Sequence, residues 1–414
     1  MIQQTSGNET NIKLPFAFIL IALVCLAASQ LLLIVNGDMV SEGIFRIPAI
    51  WSAAHLLLLG WALMTAMGAM YQLVPVAFLT PIWSERFGFV QFAVTAAGIT
   101  LFSIMLYISP GNAFLPGVLM LLGILMFLLQ MAMTLKKQAK PTILTLFVGT
   151  ALFCLFATIL LGISMVWTMK TGSGGSVYNP IFKSHILLGT AGWFSLLIFG
   201  FSYKMVPMFS LAHGYGMKMA VWVYAVYVTG VVVTTASFWT DNVILLGLGL
   251  GLLAIGFLMF AWHILQIVGK RIKKKLDKPF MFALLGILFG MIIHLAALVS
   301  FAAGSLSITI GPLVYLYIML WIAYSILGYL YKIVPFLWWT HKYSQEIGKT
   351  TVPALKDMVN DKAALPLFIV LALASIVVFF SILFQSAAAF LIGQATVSIV
   401  LVIISITIVL VLKK

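Results

Sequence analysis

Residues 193–207 read WFSLLIFGFSYKMVP, and the same pattern occurs twice more, as WALMTAMGAMYQLVP at 61–75 and as WIAYSILGYLYKIVP at 321–335. All three stretches obey W-x6-G-x2-Y-x2-V-P. Their prolines are separated by 132 and 128 residues, so five fixed positions recur at a nearly constant period. A period of this length indicates three copies of a larger structural unit within one chain.

The composition indicates which class of protein these units build. Of the 414 residues, 63% are hydrophobic and only 8% are charged, and the mean hydropathy is +1.18. Soluble domains carry about 45–50% apolar and about 25% charged residues. The composition therefore excludes a soluble enzyme, a disordered regulator and a nucleic-acid-binding protein. It predicts an all-α integral membrane protein whose main partner is the lipid bilayer.

Twelve apolar stretches are long enough to cross a bilayer, whose core of about 30 Å needs roughly 20 helical residues. We expect them at approximately 14–36, 48–80, 88–108, 113–135, 142–169, 180–207, 216–239, 242–268, 279–303, 308–339, 364–386 and 388–412. With this count, 20 of the 23 Lys and Arg residues fall on one side, and Arg46, Lys170 and Lys183 fall on the other. Basic residues mark cytoplasmic loops. The bias therefore predicts cytoplasmic N and C termini in a multi-pass protein of the cell membrane.

Twelve helices and three motif copies together predict one membrane domain, 1–414, made of three pseudo-symmetric four-helix arcs. The arcs are expected at approximately 14–135, 142–268 and 279–412. The motif falls on the second helix of each arc and always runs from the outer to the inner face. We therefore expect parallel repeats related by an axis along the membrane normal.

The motif positions have a structural interpretation. A small residue such as the motif glycine lets neighbouring membrane helices approach closely. Trp and Tyr near helix ends often lie at the level of the lipid headgroups. Proline near the inner end is expected to terminate the helix. We therefore predict structural roles for the Gly, Tyr and Pro positions.

Three of the six histidines are expected within the outer half of the membrane. His55 and His185 lie about 10 and 8 Å beyond the prolines at which their helices are predicted to begin, and His294 lies about 14 Å from the outer end of its helix. His55 precedes its motif tryptophan by six residues and His185 precedes its own by eight. Tyr315 occupies that place in the third copy.

Ionisable side chains within a bilayer usually face an interior site. Imidazoles at one depth suit axial ligation of a haem iron, which needs a neutral imidazole nitrogen and an apolar slot. The candidate ligands of such a metal or haem are His55, His185 and His294. The other interpretation, in which each His donates a hydrogen bond to a nearby carbonyl or hydroxyl group, stays open.

Twelve helices, cytoplasmic termini and three four-helix arcs together resemble the catalytic subunit of the haem–copper oxidase and nitric-oxide reductase superfamily. Residues 55–75, from the histidine to the motif proline, look like that family's helix carrying a low-spin haem ligand. Residues 183–207 look like its other haem-ligand helix, with His185 before a Gly-Trp pair. The resemblance implies a haem-binding protein on a cytochrome oxidase subunit I-like scaffold. It implies His55 and His185 as the metal ligands of one low-spin haem b, with His294 as an alternative or additional ligand.

The chain also departs from this family. Lys183 stands where the family has the first His of a His-x-His pair, and that pair lies on the family's tenth helix, whereas the match here is on the sixth. The chain has no adjacent His-His pair and no His-x-x-x-Tyr, so the copper ligands are missing. None of the nine acidic residues is expected in a membrane core, where proton paths usually need carboxylates. We therefore expect neither copper nor an oxygen-reducing proton pump.

Two classes of function are left open. In the first, a bis-histidine haem serves electron transfer, or nitric-oxide or haem handling, with a redox partner or other respiratory subunits. If the protein is an enzyme, it is then a haem-dependent oxidoreductase without the copper centre. In the second, the three repeats form a permease for a small neutral or anionic solute, since Lys183 and Arg46 near the outer mouth attract anions. The histidines at the head of two repeats favour the haem protein, because a permease does not require His at these positions.

Overall fold

The computed structural model describes residues 10–359 and 361–414, and this part of the chain is helical without a strand. Twelve helices are long and apolar enough to cross a membrane, which confirms the predicted count and an all-α, multi-pass membrane protein. They are α1 (Lys13–Val35), α2 (Pro48–Phe78), α3 (Glu85–Ile108), α4 (Phe114–Leu135), α5 (Ile143–Thr171), α6 (Gly175–Ser210), α7 (Lys218–Thr240), α8 (Val243–Gly269), α9 (Phe280–Ala302), α10 (Leu306–Glu346), α11 (Ala363–Leu383) and α12 (Ala387–Lys413).

The start of α6 differs from the prediction. The helix begins at Gly175, and Pro180 lies inside it. Membrane helices tolerate proline where neighbouring groups satisfy the freed carbonyl, so this proline is not the helix start that we expected. His185 is therefore about 15 Å from the N-terminal end of its helix rather than 8 Å.

The motif prolines do not terminate their helices. Pro75 and Pro207 lie inside α2 and α6, which continue for three more residues, and Pro335 lies well inside α10. The first two helices end instead at Leu79 and Leu211, which adopt the left-handed conformation with φ of 51° and 53°. A left-handed residue after the last turn is a common way to end a helix. The expected role of proline as the terminator is therefore wrong.

The motif tryptophans are buried rather than at headgroup level. Trp61, Trp193 and Trp321 are at most 1% exposed, and the motif tyrosines are buried as well. In the third copy the indole of Trp321 packs edge-on against Phe257, with ring centroids 4.9 Å apart. Large rings fill the space between these helices, which corrects the expectation that they face the headgroups.

The motif glycines have the predicted packing role. A Cβ atom on Gly68 would lie 2.9 Å from the Cβ of Phe18, and one on Gly200 would lie 3.0 Å from the Cβ of Phe147. The glycine of the third copy, Gly328, is also in tight contact, with backbone atoms of α9. In each copy, the glycine therefore allows the close approach of the helix that precedes the motif helix.

Each motif helix contains a π-helical segment around its tryptophan. The segments are Leu56–Leu63 in α2, Leu188–Ser195 in α6 and Tyr317–Ala323 in α10. All three end two residues after the motif tryptophan. The π-helix is rare and occurs frequently at functional sites, and no residue pattern had indicated it.

The contacts divide the described chain into two compact units. Unit 1 contains the residues up to Ala139 together with Asp277–Ala283 and Ile326–Lys414. Unit 2 contains Lys140–Leu276 and Leu284–Ser325. Of the candidate ligands, His55 belongs to the first unit, and His185 and His294 belong to the second.

Candidate functional site

His55 is the last residue before the π-helical segment of α2. Its Nδ1 lies 2.7 Å from the backbone carbonyl oxygen of Trp51. A carbonyl oxygen only accepts, so Nδ1 carries the proton and Nε2 carries the lone pair. The ring also meets the edge of Phe102, with centroids 5.3 Å apart. The imidazole is therefore held in the tautomer whose lone pair lies on Nε2.

His185 lies on α6, three residues before the π-helical segment begins. Its Nδ1 lies 2.9 Å from the carbonyl oxygen of Thr158 on α5, so this ring too has its proton on Nδ1. A Cβ atom on Gly162, one turn further along α5, would lie 3.1 Å from Cε1 of the imidazole. The absence of a side chain at Gly162 thus lets the imidazole lie against the backbone of α5.

His294 lies on α9 and is 9% exposed. Its Nδ1 lies 2.7 Å from the carbonyl oxygen of Gly290, which again places the proton on Nδ1. Three aromatic rings surround the imidazole: Phe257 at 4.4 Å, Tyr317 at 5.4 Å and Tyr227 at 6.0 Å between centroids. The third candidate ligand is therefore enclosed by rings of unit 2.

A network of hydroxyl groups lies beside His294. The hydroxyl groups of Ser195 and Tyr317 are 2.6 Å apart, and that of Tyr227 is 3.2 Å from Tyr317. The indole N–H of Trp321 donates to the Ser195 hydroxyl group over 2.8 Å. The network thus joins the π-helical segments of α6 and α10. Sequence reasoning missed it, because its residues lie on three helices and no sequence pattern relates them.

The three motif tryptophans differ in how their N–H groups are satisfied. The Nε1 atoms of Trp61 and Trp193 are buried and have no hydrogen-bond partner within the described chain, whereas that of Trp321 is bonded to Ser195. The position two residues after the motif tryptophan is a hydroxyl residue only in the second copy, and it is aliphatic in the other two. The copies have therefore diverged in the polar groups of their π-helical segments.

His263 on α8 shows what a fully hydrogen-bonded histidine looks like in this protein. Its Nε2 lies 3.0 Å from the carbonyl oxygen of Gly216, and its Nδ1 lies 3.2 Å from the hydroxyl group of Tyr203. Nε2 therefore donates to the carbonyl oxygen, and Nδ1 accepts from the tyrosine. Both nitrogens are used within the protein, so His263 is not a candidate ligand.

Among the described residues, no group of three or more His, Cys, Asp and Glu side chains could hold a metal ion. Cys25 and Cys154 are both buried thiols. The ammonium group of Lys183 lies 5.8 Å from the centroid of the Phe238 ring. The three histidines thus remain the candidate ligands.

Comparison with known proteins gives no assignment. No protein-family model matches the chain, and no curated protein is significantly similar to it in sequence. What the protein does must therefore be inferred from its own residues.

Proposed function

We propose that this chain is a haem-binding protein of the cell membrane, built on an oxidase-like scaffold of three four-helix arcs with cytoplasmic termini. Its imidazole ligands are drawn from His55, His185 and His294, and its cofactor is one low-spin haem b. It serves electron transfer, or nitric-oxide or haem handling, with a redox partner or other respiratory subunits. Oxygen reduction with proton pumping is not part of the proposal.

The observation that carries the proposal is the direction of the histidine hydrogen bonds. In His55, His185 and His294, Nδ1 donates to a backbone carbonyl oxygen over 2.7–2.9 Å, the hydrogen bond that the structural interpretation also predicts. Metal-ligating histidines commonly donate their other N–H to a carbonyl, carboxylate or water, which fixes the ring and raises the basicity of the ligating nitrogen. These bonds are therefore compatible with ligation of a haem iron through Nε2.

The surroundings of the three imidazoles favour the same cofactor. His55 and His294 contact phenylalanine rings, and Gly162 leaves one edge of His185 against backbone. Such apolar surroundings exclude water and suit a macrocycle better than a hydrated metal ion. A haem held by two of these histidines would supply one-electron transfer rather than gas binding.

The π-helical segments support the proposed internal repeat. Three such segments at one offset from the motif tryptophan are unexpected by chance, since π-helix makes up well under 1% of residues in proteins. His55 immediately precedes one segment and His185 lies three residues before another. The candidate ligands of the first two copies thus both lie just before such a segment, at offsets that differ by two residues.

The test is the reduced-minus-oxidised optical spectrum and the haem content of the detergent-purified protein. We expect sharp low-spin α and β bands, and a loss of bound haem of about tenfold or more in the alanine variant of each true ligand among His55, His185 and His294. His263→Ala is the matched control, a buried histidine that should keep the bands. A featureless spectrum from haem-supplied cells would refute the proposal and favour the permease.

A further inference from the structure

Two loops of unit 2 are joined by backbone hydrogen bonds. The first loop, 211–217, follows α6, and the second loop, 270–276, follows α8. Ala212 and Arg271 form an antiparallel bridge, and the N–H of Ile272 donates to the carbonyl oxygen of Leu211 over 3.2 Å. The first loop is also anchored to α8, because His263 donates to the carbonyl oxygen of Gly216. These hydrogen bonds give the loop pair a defined structure at the end of two membrane helices.

The second loop is strongly basic. Five of its residues are cations, and we call them the basic patch: Lys270, Arg271, Lys273, Lys274 and Lys275. Asp241 is the only acidic residue of unit 2. It follows the C-terminal end of α7, whereas the first loop leads into the N-terminal end of α7 at Lys218. Asp277, two residues after Lys275, is bonded to Lys332. Five cations beside this one carboxylate leave the second loop with a net positive charge.

Two aliphatic side chains stand beside the basic patch. Leu211 is 51% exposed and Ile272 is 69% exposed, and the hydrogen bond between their backbones makes them neighbours. Leu211 holds a left-handed conformation, which costs energy for a residue with a Cβ atom. Exposed aliphatic groups next to cations are the pattern of surfaces that insert into the boundary between headgroups and acyl chains.

We propose that the basic patch, with Leu211 and Ile272, is a binding site for the headgroups of anionic phospholipids. The two aliphatic side chains enter the acyl layer, and the cations contact the phosphate groups. Clusters of four to eight basic residues directly beside a membrane helix attract anionic lipids. Basic loops also set the orientation of a membrane protein. That role needs neither the backbone bridge between the two loops nor the two exposed aliphatic side chains, and lipid binding accounts for both. This proposal is independent of haem binding.

The test measures phosphatidylglycerol retained by the full-length protein, using native mass spectrometry after purification from nanodiscs of mixed phosphatidylcholine and phosphatidylglycerol. The triple variant Lys273→Gln, Lys274→Gln, Lys275→Gln should retain several-fold less phosphatidylglycerol. The matched control, Lys136→Gln, Lys137→Gln, Lys140→Gln, removes the same charge from the loop after α4 and should retain as much as the natural protein. An equal loss in both triple variants, or no loss in the first, would overturn the proposal.

A second variant removes the aliphatic contact without changing the charge. Ile272→Ser should also lower phosphatidylglycerol retention, and it tests the proposal even if the triple variant fails to insert. Inorganic phosphate, added at the concentration of the lipid phosphate, tests whether the site recognises a lipid headgroup or any free phosphate group. We expect the phosphatidylglycerol to stay bound. Displacement by phosphate, or full retention in Ile272→Ser, would show that the site does not recognise a lipid.

Discussion

His263 and His294 are both buried histidines on apolar helices of unit 2, with 3% and 9% of their surface exposed. They differ in their hydrogen bonds. His263 uses both ring nitrogens within the protein, whereas the bond of His294 to Gly290 places the proton on Nδ1 and leaves the lone pair on Nε2. Burial and residue type are thus equal in the two cases, and the direction of hydrogen bonding distinguishes a structural histidine from a candidate ligand.

The largest expected effect comes from removing the structural member of this pair. His263→Ala leaves the Tyr203 hydroxyl and the Gly216 carbonyl without their partner and opens a cavity. We expect a loss of about 3 kcal/mol in the free energy of unfolding, measured by titration with a denaturing detergent. The haem content per chain should not change. His213→Ala, in the exposed loop, is the control and should stay within about 0.5 kcal/mol of the natural protein. Loss of haem from His263→Ala would show that the hydrogen bonds do not distinguish a structural histidine from a ligand.

A smaller effect is expected from crowding a candidate ligand. Gly162→Ala places a Cβ atom 3.1 Å from Cε1 of His185. The imidazole must then shift relative to the Thr158 carbonyl, at a cost of about 1–2 kcal/mol. We expect displaced α and β bands and several-fold weaker haem retention.

The control for this variant lies on the same helix. A Cβ atom on Gly149 would meet nothing within 4 Å, so Gly149→Ala should leave the spectrum unchanged. Identical spectra for both glycine variants would mean that the position of His185 does not influence the cofactor.

The smallest expected effect again concerns His263. Tyr203→Phe removes the hydroxyl group that bonds to Nδ1 and keeps the ring packing against Phe260. One hydrogen bond contributes about 1 kcal/mol, so the unfolding midpoint should fall slightly. The optical spectrum should stay as it is. A spectral change in this variant would indicate that the region around His263 communicates with the cofactor.

The twelve helices were predictable because length and hydropathy are local properties of the chain. Helix α1 was expected at 14–36 and is found at Lys13–Val35. The start of α6 was not predicted correctly, because residues 175–179 read GSVYN and contain no apolar run. Pro180 is also typical of a first helical position. The three π-helical segments depend on packing around the tryptophans, and a hydropathy pattern carries no signal for them.

The candidate site was predictable in part. The positions of His55 and His294 along their helices followed from the sequence, whereas that of His185 was wrong because α6 begins at Gly175. The protonated nitrogen of each ring did not follow from the sequence. For His185 it depends on the carbonyl oxygen of Thr158, which lies on another helix and 27 residues away. The hydroxyl network around Tyr317 was missed for the same reason, since it forms only when two motif helices meet.

The central claim is that imidazole from the membrane histidines binds the iron of a haem. Its most direct test is the His185→Gly variant with and without added free imidazole. We expect the low-spin bands to be lost in the variant and restored by imidazole, because the small ligand occupies the space left by the side chain. The same additive should change nothing in His263→Gly. Bands that persist in His185→Gly, or that imidazole fails to restore, would contradict ligation by His185.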